Sequence, residues 1–436
     1  MIIHFFYFSK KLNMRIILLL LSVLTASAQD IYIHAGKIYN TDSGKLSSEK
    51  TIIISDNKIK SIENGYKEAD EDDIKIYDLK SKVILPGLID FHVHIEGESG
   101  GPERYISRFQ DNKADVAFKS SVIAKKTLMA GFTTVRDVGG SGVNISLRNA
   151  INSGVVPGPR IFTSGKTIAS TGGHGDRTNG LRDDFIDDPG PEQGVVNSIS
   201  DARKAVRYRY KNGADLIKIT ATGGVMSLAK NGQNPQFTEE VIREIVKTAD
   251  DYGMHVAAHA HGDEGMFRAV NAGVTTIEHG SIMADRTMRL MKEKQTYLVP
   301  TISAGEHVAK MAKIPGYYPE IIIPKALEVG VQNKATTKKA YKMGVPIAFG
   351  TDAGVFPHGD NAGEFVYMKE IGIPAEYSIN SATITNAKLL NMENLLGQLK
   401  EGFYADIIAV DESPLENIAT LENVIFVMKD GKVYKN

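Results

Sequence analysis

The stretch Pro86-Gly87-Leu88-Ile89-Asp90-Phe91-His92-Val93-His94 decides how this chain is read. It is an apolar run that ends in two histidines one residue apart. Alternate residues of an extended strand share a face, so His92 and His94 point the same way. The run itself fits a buried parallel strand, which needs helices to cover it.

Working outward, the same texture recurs. Apolar runs that fit buried parallel strands lie at 83–89, 133–138, 160–164, 216–220, 255–260, 275–278, 297–301 and 347–350. Amphipathic stretches fall between most of them, at 114–130, 198–211, 238–252 and 324–343. Thr238-Glu239-Glu240-Val241 sits where a helix should begin, with its acidic residues at the favourable end of the dipole. Eight strands with helices between them give the arithmetic of an α/β (β/α)8 TIM barrel, and an open doubly wound sheet is the alternative. The two ends of the chain differ from this middle. Short β-branched segments divided by turn formers occur at 31–33, 51–55 and 58–62, and again at 405–410 and 424–428. They predict one small β-sandwich built from both termini. The expected division is a signal peptide at 1–28, sandwich parts at 29–85 and 401–436, and the barrel at 86–400.

Polar residues inside the apolar runs locate the site. Strand four carries Lys218 between two isoleucines, strand five ends at His259 with His261 following, strand six ends Glu278-His279, and strand eight ends Thr351-Asp352. In a barrel these C-terminal ends converge on one mouth, where barrel active sites lie. Each residue alone has an ordinary explanation: Asp352 as a helix cap, His259 as a core histidine, Lys218 as a snorkelling side chain. Their joint placement on successive strand ends favours a metal site. The chain has 11 His and no Cys, which removes thiolate ligands, iron–sulfur clusters and disulfides. The metal chemistry is therefore that of imidazole and oxygen donors. A formal net charge of −1 gives no basic field for nucleic acid.

Together with Gly131-Phe132-Thr133-Thr134-Val135-Arg136-Asp137, Gly350-Thr351-Asp352 and Gly402-Phe403-Tyr404-Ala405-Asp406, these motifs resemble the metal-dependent amidohydrolase superfamily over residues 30–436. Lys218-Ile219 with Gly223-Gly224, Pro235-Gln236-Phe237-Thr238 and His259-Ala260-His261 resemble its prolidase-like and imidazolonepropionase-related branch. The resemblance implies a cofactor of two divalent ions, zinc first among them. His92, His94 and Asp352 would hold the deeper ion, and His259 and His279 the outer one. Lys218, as a carbamate, would bridge the two. His259 is preferred to His261 as the ligand because it ends the strand proper. Asp352 would also be the catalytic proton carrier. Arg136, His174 and His261 are the candidate contacts for a substrate carboxylate, with a structural ion pair as the alternative for Arg136.

The branch implies hydrolysis of a carbon–nitrogen amide bond in a dipeptide, Xaa-Pro or a related Xaa-amino acid, or in an N-acyl amino acid. A cyclic-amide hydrolase of imidazolonepropionase type is the first alternative. A catalytically silent binding protein on the same fold is the alternative from another class. The expected partner is a small molecule or dipeptide, with a homo-oligomer as a further expectation.

Lys10, Lys11 and Arg15 precede an apolar run at 16–24, and Ala26-Ser27-Ala28 follows. This is the pattern of a secretory signal peptide, and the run is too short for a stable bilayer span. It predicts export to a periplasm or beyond, with no stable membrane insertion after cleavage. Met14 is an alternative start. Cleavage after Ala28 leaves a formal charge of −4. N-terminal mass spectrometry of the exported protein should find Gln29 first; an intact N-terminus on cytosolic protein would refute the export reading.

Overall fold

A computed structural model describes residues 30–69, 74–98, 101–186 and 188–436. The expected signal peptide lies outside the described residues. Among them, no helix is long and apolar enough to cross a membrane.

Both chain ends build one sheet. Its seven strands run in the order β14-β13-β12-β4-β1-β2-β3. They are β1 (Ile31–Asn40), β2 (Lys45–Ser55), β3 (Lys58–Asn64), β4 (Lys75–Pro86), β12 (Ile407–Val410), β13 (Phe426–Lys429) and β14 (Lys432–Lys435). The seam between early and late chain is the antiparallel β4–β12 pair, in register from Ile407 opposite Pro86 to Val410 opposite Val83. The sheet curls, because Lys58 of β3 bridges Tyr404 and the Ala405 N–H donates to the Asn57 carbonyl (2.9 Å). Ile33, Ile52, Ile54, Ile59, Ile84, Ile407 and Phe426 are buried together by this curl.

The 83–89 run expected as a single strand is two. β4 ends in the first sheet at Pro86, and β5 (Leu88–Val93) starts a second one. Proline lacks the N–H that a ladder needs, and at Gly87 a Cβ would stand only 2.1 Å from Thr133 Oγ1, so the chain crosses between sheets here.

The middle of the chain forms two parallel sheets. One is β5-β6-β7, with β6 (Phe132–Asp137) and β7 (Arg160–Thr163). The other is β11-β10-β9-β8, with β8 (Ile217–Thr220), β9 (Val256–Gly262), β10 (Thr276–Ile282) and β11 (Tyr297–Val299). Isolated hydrogen bonds link them at both seams. Asp215 N–H donates to Thr163 O (2.8 Å), and Ile168 pairs in parallel with Ile219. On the other side, the segment around Ile347 bridges both edges. Ala348 N–H donates to Leu298 O, Phe91 N–H to Phe349 O and Asp352 N–H to His92 O. This segment occupies the position expected of an eighth strand, and the circuit returns to β5. Helices such as Lys113–Met129, Ile199–Lys211, Glu239–Asp250 and Ile323–Met343 separate the strands. Their apolar residues pack outside the strands, as Ile242, Ile245 and Ala249 do with Ile217 and Ala258.

Phe349 is fully buried in the closing segment, stacked on Phe365 (centroids 4.2 Å apart) and Phe132 (5.9 Å). Phe349→Ala should therefore cost about 3–5 kcal/mol. Urea unfolding checks this, and a loss below about 1 kcal/mol would show that the segment does not close the ring.

Candidate metal centre

The ends of β5, β8, β9 and β10 and the segment after Phe349 open on one cleft of about 490 Å³. It is lined by His92, His94, Lys218, His259, His279 and Asp352, the six ligand candidates read from the sequence, and by His174 and His261. His92 Nε2 lies 3.5 Å and His94 Nε2 3.4 Å from Asp352 Oδ1. Candidate donor atoms of His92, His279 and Asp352 lie within 4.8 Å of one another. The His279 ring is 5.0 Å from His92 and 4.6 Å from His259, and His174 stacks on His259 at 4.4 Å.

Hydrogen bonds fix which nitrogen each imidazole presents. His92 Nδ1 donates to Glu278 Oε2 (2.6 Å) and His94 Nδ1 to the Gly139 carbonyl (2.7 Å), so both turn Nε2 toward Asp352. His279 Nδ1 bonds Thr301 Oγ1 (2.7 Å), and His261 Nδ1 bonds Ser281 Oγ (2.9 Å). His259 differs: its Nε2 donates to the Gly223 carbonyl (3.1 Å), leaving Nδ1 as the lone-pair nitrogen.

Burial pushes the His94 imidazole down to about 4 and holds those of His259 and His279 well below the ordinary range. All three are neutral at physiological pH, the state a metal ligand requires. Burial also pushes the Lys218 amine down to about 8. For Asp352 burial acts the other way, but His92, His94 and Lys218 prevail and keep the carboxyl below its usual value.

Among the buried polar atoms without a hydrogen-bond partner are His92 Nε2 and Asp352 Oδ1, which face each other 3.5 Å apart. Leaving such groups unsatisfied costs on the order of 1–3 kcal/mol each. A cation between them would remove that cost, so the donor set fits a divalent metal.

The backbone here is under strain. His279 (φ 72°), Thr301 (φ 50°) and Asp352 (φ 61°) all occupy the left-handed region, which costs a β-branched residue such as Thr301 most. The turn at Asp352 is held by Asp90, buried under it, which accepts from Thr351 N–H (3.1 Å), Thr351 Oγ1 (2.6 Å) and Asn361 Nδ2 (2.8 Å).

Two expectations need correction. Arg136 is not a substrate contact. It is fully buried, does not line the cleft, and donates from Nη2 to Glu278 Oε1 (2.7 Å), from Nε to the Phe91 carbonyl (2.6 Å) and from Nη1 to Thr276 Oγ1 (3.1 Å). Its guanidinium also lies 3.8 Å from the centre of the Phe91 ring. The structural alternative is the correct one, with Glu278 as the carboxylate. Second, β9 does not end at His259 but runs to Gly262, so His259 and His261 both stand on the strand.

The sequence pattern alone assigns Glu278 no role. It accepts from Arg136, His92 and Thr276 at once. Burial opposes its charge, yet Arg136 and the His92 hydrogen bond keep it ionised, well below the usual carboxylate range. The signal for it was present: an acidic residue within a buried strand needs a cationic partner. Glu278→Gln should destabilise the protein by about 3–5 kcal/mol, because it strands the Arg136 charge. It should also weaken metal affinity roughly 10–100-fold, because His92 loses its orienting acceptor. Calorimetry and metal titration of the variant check both; unchanged metal affinity would remove Glu278 from the site.

Comparison with known proteins agrees with this geometry. Residues 83–434 match the family model described as "Amidohydrolase family". Ochratoxinase of Aspergillus niger is 32% identical over 369 residues, covering 81% of this chain and 76% of that protein. Imidazolonepropionase of Kosmotoga olearia is 21% identical over 425 residues, covering 90% and 93%. The crystal structure of a Xaa-Pro dipeptidase with bound methionine in the active site superposes with a TM-score of 0.91 at 52% identity, covering 94% of this chain and all of the other. The chain belongs to the amidohydrolase family, in its prolidase-like and imidazolonepropionase-related branch, and is a metal-dependent enzyme that hydrolyses carbon–nitrogen amide bonds.

Proposed function

We propose that this enzyme is an exported binuclear dipeptidase that releases the C-terminal residue from Xaa-Pro or related Xaa-amino acid dipeptides, or from N-acyl amino acids. The observation that carries the reading is the convergence of His92, His94, Lys218, His259, His279 and Asp352 on one cleft, with His92 Nε2 and Asp352 Oδ1 unpartnered. Similarity to a Xaa-Pro dipeptidase over nearly the whole chain supports the substrate class. On this reading residues 86–400 form the catalytic (β/α)8 barrel and the two chain ends its accessory β-sandwich.

His92, His94 and Asp352 would hold one divalent ion, and His259 and His279 the other, zinc in both positions. Bound there, the ions would make water a competent nucleophile near neutral pH and polarise the scissile carbonyl. Lys218 would bridge them as a carbamate: its neutral amine attacks carbon dioxide, an N–C bond forms and the nitrogen loses a proton. The depressed basicity of Lys218 favours this, since only the neutral amine is a nucleophile. The Asp352 carboxylate accepts the proton shed by the attacking water and passes it to the leaving nitrogen. His174 and His261, both on the cleft, would hydrogen-bond the substrate carboxylate.

The test is a dipeptide and N-acyl amino acid library assayed on zinc-loaded protein. Turnover should vanish on chelation and return with metal. Asp352→Asn should lower kcat by roughly 10²–10⁴-fold, the contribution of a positioned proton carrier, while retaining part of the metal. Turnover of ring-opening cyclic amides alone, or full activity of Asp352→Asn, would overturn the reading.

A further inference from the structure

Two buried cations outside the metal centre, Arg209 and Lys325, are held by backbone carbonyls, with no carboxylate among their hydrogen-bond partners in the described residues; Lys325 is the one at the cleft wall. Lys325 stands in the first turn of the helix Ile323–Met343 and is only 7% exposed. Its ammonium donates to three backbone carbonyls: Gly224 (3.2 Å), Ser227 (2.6 Å) and Ala229 (2.8 Å). An ammonium has three protons, and each has one acceptor here. The three carbonyls belong to a stretch with neither helix nor strand, so no ladder serves them. A single side chain therefore gathers this loop and pins it to the helix.

The pinned loop is a wall of the cleft. Val225, Met226 and Leu228 line it together with Val308, Val329 and Val355, and these six pack in one apolar cluster. Away from the metal centre the rest of the cleft is lined by charged side chains, Glu96, Glu98, Asp176, Lys166 and Arg177. Glu96 accepts from the N–H groups of Ser141 and Asn144, and Asp176 from those of Gly172 and Thr178. The apolar wall is the part of the cleft that offers a substrate side chain contact without polar competition.

We propose that Lys325 is a positioning residue for specificity. It latches loop 224–229 so that Val225, Met226 and Leu228 form a subsite for an uncharged, apolar side chain of the substrate. This rests on the dipeptidase reading for the identity of the substrate, but the latch does not.

The experiment compares the zinc-loaded wild type with Lys325→Met and Met226→Asp, using Gly, Leu and Asp placed in turn at each position of an alanine-containing dipeptide. In the wild type, Leu should have a KM at least 10-fold below that of Asp at one position. Lys325→Met should raise the KM for Leu at that position about 10-fold, with kcat on the Gly dipeptide changed less than threefold. Hydrogen exchange of the amides of 224–229 should accelerate at least 10-fold in this variant while the helix Glu239–Asp250 is unchanged. Met226→Asp, which leaves the latch intact, should remove the preference for Leu without changing that exchange. Unchanged exchange in Lys325→Met overturns the latch whatever the activity. Equal KM for Leu and Asp in the wild type, or an equal loss of kcat on every substrate, overturns the apolar subsite. If the wild type cleaves no dipeptide, the dipeptidase reading and the substrate class named here fall, and the exchange measurement alone judges the latch.

Discussion

A guanidinium and a carboxylate, both without solvent contact, meet inside the ring of strands. Arg136 from β6 and Glu278 from β10 are 2.7 Å apart, and much of the catalytic end is referenced to them. Buried charges of this kind are not retained for stability, since apolar residues of similar size would often serve as well or better. What the pair provides is direction. Arg136 fixes Glu278, Glu278 fixes the His92 ring, and His92 Nε2 is thereby aimed at Asp352. Arg136 also ties the Phe91 carbonyl of β5 to β6, so one side chain holds both the strand and its histidine.

The centre combines stiff parts with strained ones. Thr301 has a left-handed backbone and its hydroxyl orients His279. The helix that follows begins at Ile302, and its first N–H groups donate to the buried Glu364 (Ile302 2.8 Å, Ser303 2.7 Å). Burial pushes the Glu364 carboxyl up to about 7, so its charge is costly, and the amides of the helix terminus offset part of that cost. The strain at Thr301 is thus held by a cap 62 residues beyond Ile302 along the chain, which no local reading would connect.

Much of the candidate metal centre is legible in the sequence because its residues break a pattern. A lysine between two isoleucines, or a histidine at the end of an apolar run, is expensive to bury without a purpose, and period-two alternation tells which face it takes. The same logic misread Arg136. A charged residue at a strand end looks identical whether it faces a ligand or a buried carboxylate, and only the fold brings Glu278 to it across 142 residues of chain. The break at Pro86-Gly87 was hidden because apolar residues continue across it; hydrophobicity does not report which sheet a residue joins. Lys325 lay in a helix correctly expected, but its partners are carbonyl oxygens, which every residue carries and no sequence pattern marks.

The pairing of β12 with β4 sets an order on folding. β4 has β1 on one side and waits for residues 407–410 on the other. During synthesis that edge stays open while more than 300 residues are added, and a sequence separation of this size makes the contact slow to form. Strand β5 follows the end of β4 after a single residue, so the ring that carries the candidate metal ligands is anchored to a sheet that is completed last. A nascent chain therefore leaves this sheet unfinished until residues 407–410 are released, and loss of that segment would expose the hydrophobic edge of β4.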